Sequence, residues 1–219
     1  MESPIVEDYL EAIYKLKENS GKLGTTKLGK ELAVSPASAS EMMERLVEKG
    51  LAAKDKEKGI QLTRQGKKAA LRLIRRHRIS ERFLVDVLGM DWKDVHEVAC
   101  KLEHAITPEV ESRMEGLLRN LDTCPHGHPI PDRLGRIVEP PLLRLSGLKM
   151  GQTGVIAKIA EENRELLEYL ATLGMMPEAA VKVEQVAPFE GPLLVRVKGA
   201  THALGRKIAD KIWIKKAVK

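Results

Sequence analysis

Residues 25–51 read T-T-K-L-G-K-E-L-A-V-S-P-A-S-A-S-E-M-M-E-R-L-V-E-K-G-L, and this stretch decides the fold of the N-terminal part of the chain. Its pattern predicts a short helix over residues 26–33, a tight turn, and a second helix over residues 36–49. Ser35 suits the N-cap of that second helix, and Gly50 suits the position that ends it. This is a helix-turn-helix, whose second helix enters the major groove of DNA. The same pattern also occurs in helical domains that bind no DNA.

The segment that follows favours DNA binding. Residues 51–53 and 60–62 predict two short strands around Lys54, Lys56 and Lys58, with Gly59 in the turn. Two strands and a lysine-bearing loop after a helix-turn-helix make a winged helix, whose wing typically contacts phosphates. The residues expected to face DNA are Thr26, Ser35, Ala37, Ser38, Ser40, Glu41, Lys56 and Lys58.

Helices are predicted on both sides of this domain. Residues 4–19 have Ser3 as a plausible N-cap and apolar side chains at helical spacing. Downstream, the pattern predicts a long helix over residues 64–88, a helix from Asp91 through residue 104, and another over residues 108–118. Three arginines, Arg75, Arg76 and Arg78, flank His77, and we expect this basic run to be a solvated face or a phosphate neighbour.

The nine residues from His96 to His104, H-E-V-A-C-K-L-E-H, suggest a metal site. On one helix, His96, Cys100, Glu103 and His104 would fall within an arc of roughly 100°. Thiolate, imidazole and carboxylate together suit a divalent first-row transition metal better than calcium or magnesium. His77 and Glu81, one turn apart on the preceding helix, could complete such a site. The alternative is an ordinary buried apolar stripe with a solvated flank.

The C-terminal half changes character. Residues 122–141 hold five of the eleven prolines and show no periodicity, so they predict a linker or an ordered loop. Cys124, His126 and His128 could form a second metal site there, but their spacing is cramped and no fourth ligand is evident. Beyond residue 142, four alternating stretches and a short helix over residues 165–173 predict a small SH3-like barrel.

Composition limits the classes of protein that remain. The chain has 219 residues, 31% of them charged and 3% aromatic, and two cysteines, which is too few for a disulfide framework. It shows no signal peptide and no apolar run long enough to span a bilayer, so we expect a cytoplasmic protein that does not contact membranes. The net charge of +6 is compatible with nucleic-acid binding but does not locate it.

Five stretches together resemble the diphtheria-toxin-repressor family of metal-dependent transcription regulators, especially its iron-responsive three-domain branch. They are V-E-D-Y-L-E-A-I-Y, V-S-P-A-S-A-S-E-M-M-E-R-L, R-R-H-R-I-S-E-R-F-L-V-D-V-L-G-M-D-W, V-H-E-V-A-C-K-L-E-H-A-I-T-P-E-V-E and T-C-P-H-G-H-P-I-P. The last is typical linker sequence in this family, which supports leaving Cys124, His126 and His128 out of the metal site.

The resemblance implies two metal sites per subunit. The primary ligands would be Asp8, Cys100, Glu103 and His104, and the ancillary ligands would be His77, Glu81 and His96, with Glu161 added from the barrel. A second barrel position falls on Lys158, which cannot serve as a ligand. Iron-type members often carry methionine where this chain has Asp8. Manganese-responsive two-domain members carry a bridging glutamate where it has Cys100, so the chain combines features of both.

We therefore expect a mainly α protein with small β parts. The predicted domains are a winged helix-turn-helix over residues 1–70, a helical metal-binding and dimerisation domain over residues 71–121, a Pro-rich linker over residues 122–143, and an SH3-like, FeoA-like barrel over residues 144–219. The predicted function is that of a homodimeric repressor, not an enzyme, which binds palindromic operator DNA when activated by Fe(2+) or Mn(2+). Zn(2+), Co(2+) or Ni(2+) should substitute in vitro.

Two alternatives stay open at this point. One is a zinc-dependent metallohydrolase that uses Cys100, Glu103 and His104 with Glu81 as general base, although nothing in the chain resembles H-E-x-x-H. The other is a winged-helix regulator that responds to an organic ligand.

Overall fold

The N-terminal elements form where the caps and the apolar spacing predict them. In a computed structural model, which describes residues 2–19, 22–160 and 163–216, helices α1 (Pro4–Asn19), α2 (Thr25–Glu31) and α3 (Pro36–Glu48) precede strands β1 (Ala52–Asp55) and β2 (Gly59–Leu62). Ser35 caps α3, because its hydroxyl accepts a hydrogen bond from the Ser38 amide at 3.0 Å. Gly50 follows α3 in the left-handed region, with φ +68°. The helix-turn-helix and the wing are confirmed.

Three further helices carry the middle of the chain. They are α4 (Arg64–Asp86), α5 (Val95–Leu102) and α6 (Pro108–Leu117). The Thr63 hydroxyl accepts from the Gly66 amide at the start of α4, and the Thr107 hydroxyl accepts from the Val110 amide at the start of α6. Helix α5 is shorter than predicted, since it begins four residues after Asp91 and ends at Leu102.

The C-terminal residues form an antiparallel sheet in the order β3-β8-β4-β5-β6-β7, as expected for a small barrel. The strands are β3 (Leu143–Arg144), β4 (Thr153–Ile159), β5 (Ala180–Val186), β6 (Leu193–Val197), β7 (Ala200–Leu204) and β8 (Ile212–Lys216), with helices α7 (Arg164–Thr172) and α8 (Arg206–Ala209). The prediction missed β3, which has only two residues, and β7, because A-T-H-A-L has little β-branched character and does not alternate clearly.

By their contacts the residues divide into two units. The first comprises Met1–His77, Glu103–Ala105 and Pro131–Arg136, and its core is formed by buried side chains of α1 to α4 and the wing, including Leu10, Ile13 and Leu46. The second comprises Arg78–Leu102, Ile106–Ile130 and Ile137–Lys219. Its largest core lies inside the sheet and also includes Trp92.

The basic run around His77 is not solvated, so that prediction is wrong. Arg75, Arg76 and Arg78 are 7%, 6% and 9% exposed. Arg75 donates a hydrogen bond to the carbonyl of Pro131, and Arg78 donates one to the carbonyl of Pro129. Prolines supply carbonyl acceptors but no N–H groups, so guanidinium donors complement the irregular Pro-rich segment. That segment is an ordered loop with a bridge between Thr123 and Pro129.

No helix in the described part of the chain combines the length and apolar character needed to cross a bilayer.

Candidate metal centre and DNA-binding surface

Three of the four predicted primary ligands lie together in the first unit. One ligand atom each from Asp8, Glu103 and His104 falls within 4.8 Å of the others. His104 Nε2 is 2.9 Å from Asp8 Oδ1 and 3.5 Å from Glu103 Oε1. Asp8 comes from the first turns of α1, whereas Glu103 and His104 come from the turn that joins α5 to α6.

That turn corrects the sequence prediction of one helical face. Helix α5 ends at Leu102, and residues 103–105 form a turn before Thr107 caps α6. Glu103 and His104 therefore do not continue the helical arc that begins with His96 and Cys100. The reason is tertiary, because Glu103–Ala105 make their contacts with the first unit, whereas α5 belongs to the second.

Glu103 is held firmly in place. Its side chain is 3% exposed, and its Oε2 lies 2.6 Å from Nδ1 of His77. Burial raises the pKa of Glu103 above its ordinary value, and the hydrogen bond and charge of His77 oppose that rise. Within the first unit, His77 thus orients a carboxylate of the primary set, a role that its sequence position did not predict.

Glu7 belongs to the same cluster, and sequence reasoning missed it. Its Oε2 lies 2.9 Å from Nδ1 of His104, and its Oε1 lies 3.9 Å from the Arg76 guanidinium. The signal in the sequence is the adjacent pair Glu7-Asp8, because two neighbouring carboxylates can contact the two nitrogens of one imidazole ring. Burial by itself would lower the pKa of His104, but the hydrogen bond to Glu7 and the charges of Asp8, Glu103 and Glu7 outweigh it and raise the pKa.

The electrostatics of this cluster fit a divalent cation. Three carboxylates, from Glu7, Asp8 and Glu103, converge on one imidazole ring. Burial raises the pKa of Asp8 even though the charge of His104 and its hydrogen bond lower it. A carboxylate–imidazole set with this excess of negative charge suits manganese(II) or iron(II), and a thiolate would add preference for the softer ion.

Two of the predicted ancillary ligands, Glu81 and His96, lie close together. In the second unit, Glu81 Oε1 lies 3.4 Å from His96 Nδ1 and 3.3 Å from His126 Nδ1. Cys100 Sγ is 3.8 Å from His96 Nε2. Glu161 lies outside the residues that the structure describes.

Glu81 also marks a second cluster, because ligand atoms of Glu81, Cys124 and His126 lie within 4.8 Å of one another. All three side chains are buried. His126 Nε2 lies 2.8 Å from the carbonyl of Trp92, which can only accept, so Nε2 carries a proton and Nδ1 faces Glu81. The cramped C-P-H-G-H spacing argued against this site in the sequence, but a residue from α4 supplies the missing partner. His128 instead lies 2.9 Å from the carbonyl of Ile159.

The residues predicted to contact DNA are on the surface of the first unit. Thr26, Ser35, Ala37, Ser38, Glu41, Lys56 and Lys58 are exposed, and Ser40 is half-buried. The hydroxyls of Ser35 and Ser38 lie 2.9 Å apart at the start of α3. Small exposed side chains at this end of α3 allow close approach to base edges, which a recognition helix requires.

A winged helix with an exposed recognition helix, together with a carboxylate–imidazole cluster suited to a divalent ion, defines a metal-responsive DNA-binding regulator. Comparison with known families agrees along the chain. Residues 1–60 match the N-terminal DNA binding domain of iron dependent repressors, residues 63–132 match their metal binding and dimerisation domain, and residues 143–216 match the FeoA domain. The chain belongs to the iron-dependent repressor family.

Individual relatives are similar over nearly the whole length. The iron-dependent repressor IdeR of Mycobacterium tuberculosis strain H37Rv is 32% identical over 222 residues, covering 96% of each chain. A solved structure of a manganese-dependent transcriptional repressor in complex with manganese superposes with a TM-score of 0.91 at 34% identity, covering 97% of this chain and 100% of that one. The structure of ScaR with bound Zn2+ gives a TM-score of 0.84 at 32% identity, covering 97% and 99%.

Membership confirms the predicted three-part architecture and the function class. It also sets aside the metallohydrolase alternative, because the family consists of DNA-binding repressors.

Proposed function

We propose that this chain is a homodimeric, cytoplasmic repressor that binds palindromic operator DNA when iron(II) or manganese(II) occupies its primary site, and so controls metal-homeostasis genes. The observation that carries the proposal is the convergence of Asp8 with Glu103 and His104, which are separated from it by more than ninety residues. A ligand set assembled from such distant segments makes the arrangement of those segments depend on the ion.

The proposed primary ligands are Asp8, Cys100, Glu103 and His104, with Glu7 beside them. The cluster of Asp8, Glu103 and His104 supports three of the four. Cys100 rests on the sequence resemblance alone. For the ancillary site we retain His77, Glu81, His96 and Glu161, and the cluster around Glu81 adds Cys124 and His126 as candidates.

The proposed mechanism follows from where the primary ligands lie in the chain. Asp8 is part of α1 in the DNA-binding domain, whereas Glu103 and His104 lie in the turn that joins α5 and α6, the helices of the dimerisation domain. Glu7, Asp8 and Glu103 together carry more negative charge than the His104 ring can offset. A divalent ion bound there would supply further positive charge and strengthen the link between Asp8 and the α5–α6 turn. We keep the boundaries 1–70, 71–121, 122–143 and 144–219 for the domains and their linker.

DNA binding then depends on how firmly α1 is held. Two recognition helices in a dimer must lie about 34 Å apart to enter successive major grooves of a palindrome. A metal ion held by Asp8, Glu103 and His104 would restrict the movement of α1, and with it α3, so that the two recognition helices keep this spacing. Metal and DNA affinities must be coupled reciprocally, since both favour the same arrangement.

The experiment that tests the proposal measures DNA binding while iron(II), manganese(II) and zinc(II) are titrated separately, with a chelator as the control. A duplex selected by the protein from a random-sequence library serves as the operator. We expect binding that requires the metal and is lost with the chelator. Binding that the chelator leaves unchanged would refute control by a metal ion.

A further inference from the structure

The wing is a short hairpin with a defined internal turn. Strands β1 and β2 pair from Ala52 with Leu62 to Asp55 with Gly59. The Asp55 carboxylate accepts hydrogen bonds from the amides of Glu57 and Lys58, at 2.9 and 2.7 Å. These two hydrogen bonds stabilise the charged carboxylate and lower the pKa of Asp55.

Residues outside the wing hold its backbone. Lys17, near the end of α1, donates from Nζ to the carbonyl of Lys58 at 3.0 Å. Lys22, in the connection from α1 to α2, donates from Nζ to the carbonyl of Lys56 at 3.0 Å. Both acceptors are main-chain carbonyls of Lys56 and Lys58, the two wing lysines that the sequence predicts to contact DNA.

A third tie lies next to these two. Leu23 bridges to Gly59, and the Ile60 amide donates to the Leu23 carbonyl at 2.9 Å. A Cβ added at Gly59 would lie 2.1 Å from that carbonyl oxygen, so only glycine allows the approach. The wing is therefore tied to the α1–α2 connection by main-chain and by side-chain hydrogen bonds.

We propose that Lys17 and Lys22 are wing-positioning residues, which hold the wing backbone so that the ammonium groups of Lys56 and Lys58 meet DNA phosphates. This inference rests on the proposed function. The positioning role rests on the hydrogen bond that each of the two ammonium groups donates to a wing carbonyl. Lys56 and Lys58 are both exposed, so their charges stay available to phosphates.

A double-mutant cycle tests the proposal. Lys17→Met and Lys22→Met, the anchor variants, remove the ammonium group and keep most of the side chain, and Lys68→Met removes a charge from an exposed residue of α4 as the matched control. Affinity for a mixed-sequence DNA duplex, with manganese(II) present, is measured with and without the changes Lys56→Ala and Lys58→Ala. We expect each anchor variant to weaken binding about twofold to tenfold, as the loss of one net hydrogen bond does. When Lys56→Ala and Lys58→Ala are already present, each anchor variant should have almost no further effect on DNA affinity.

Amide hydrogen exchange of the free protein supplies a readout that charge alone would not change. The Ile60 amide should exchange faster in Lys22→Met than in the wild type or in Lys68→Met. The positioning role is refuted if the anchor and wing effects multiply and each anchor variant lowers the salt slope by about one, as a direct phosphate contact does. Unchanged exchange at Ile60 also refutes it.

Failure of the proposed function would look different. If Lys56→Ala and Lys58→Ala together leave DNA affinity unchanged, the wing does not contact DNA. The positioning role of Lys17 and Lys22 is then refuted as well. If those changes weaken binding and the anchor variants do not, only the positioning role fails.

Discussion

Replacing Asp8 by alanine separates the metal response from the stability of the fold. The Asp8 side chain is 46% exposed and its carboxylate lies 2.9 Å from His104 Nε2. A pair that is half open to solvent contributes at most about 1 kcal/mol, so the metal-free variant should unfold within about 1 kcal/mol of the wild type. The apolar residues of α1 that form the core, such as Leu10 and Ile13, are untouched.

The effect of metal should be much larger. Removing a residue that hydrogen-bonds to a metal ligand lowers metal affinity by up to about 100-fold. Removing the ligand itself should lower the metal affinity by at least that much. At a metal concentration 100 times its Kd, the wild type gains about 2.7 kcal/mol in free energy of unfolding. A variant that binds about 100-fold more weakly would gain only about 0.4 kcal/mol under the same conditions. The difference of about 2.3 kcal/mol is well within the resolution of denaturant unfolding.

The first assay compares urea unfolding of the wild type and of Asp8→Ala, each with manganese(II) and with a chelator. The second measures metal-dependent DNA binding of both proteins. Glu31→Ala, which removes an exposed carboxylate from α2, is the control. We expect Asp8→Ala to dimerise normally but to lose metal-stimulated DNA binding. The reasoning is refuted if Asp8→Ala keeps the full metal-induced stabilisation and the full DNA response, and control must then lie in the ancillary site.

Four further outcomes are expected. Measured in a Cys124→Ala background, cobalt(II) should give a sulfur-to-metal charge-transfer band that disappears when Cys100→Ala is added, and an unchanged band would remove Cys100 from the ligand set. Asp8→Met should weaken the manganese(II) response more than the iron(II) response in DNA-binding titrations, because a thioether is a softer ligand than a carboxylate; equal losses would contradict this. Gly59→Ala should lower the free energy of unfolding by about 1–2 kcal/mol or more, since Gly59 has φ +70° and no room for a Cβ. The control Gly116→Ala, in α6, should not lower the free energy of unfolding. Because the pKa of Asp55 is lowered, its stabilisation of the wing turn is complete above the ordinary aspartate range and should be lost as the pH falls through the lowered pKa. Chemical shifts of the wing amides that stay constant through that range would contradict this.

The sequence by itself determined the elements that depend on local physics. Helical spacing of apolar residues, the Ser35 cap and the glycine after α3 predict the helix-turn-helix, because caps and periodicity act within a few residues. Lysines around a turn glycine predict the wing for the same reason. The family resemblance predicts Asp8 and His104 as partners, and the structure brings them to 2.9 Å.

Tertiary structure alone decided which polar groups meet. Glu103 and His104 leave the helical arc because their partners lie in the first unit, and Glu7 reaches His104 only once α1 has docked there. Arg75 can be buried because the carbonyl of Pro131 in the Pro-rich loop, more than fifty residues away, accepts a hydrogen bond from its guanidinium. Glu81 meets His126 by a similar long-range approach. Buried charges and hydrogen-bond donors need partners, because leaving them unpaired costs free energy. Packing between segments that are distant in sequence decides which partners they meet, and local spacing in the sequence does not show it.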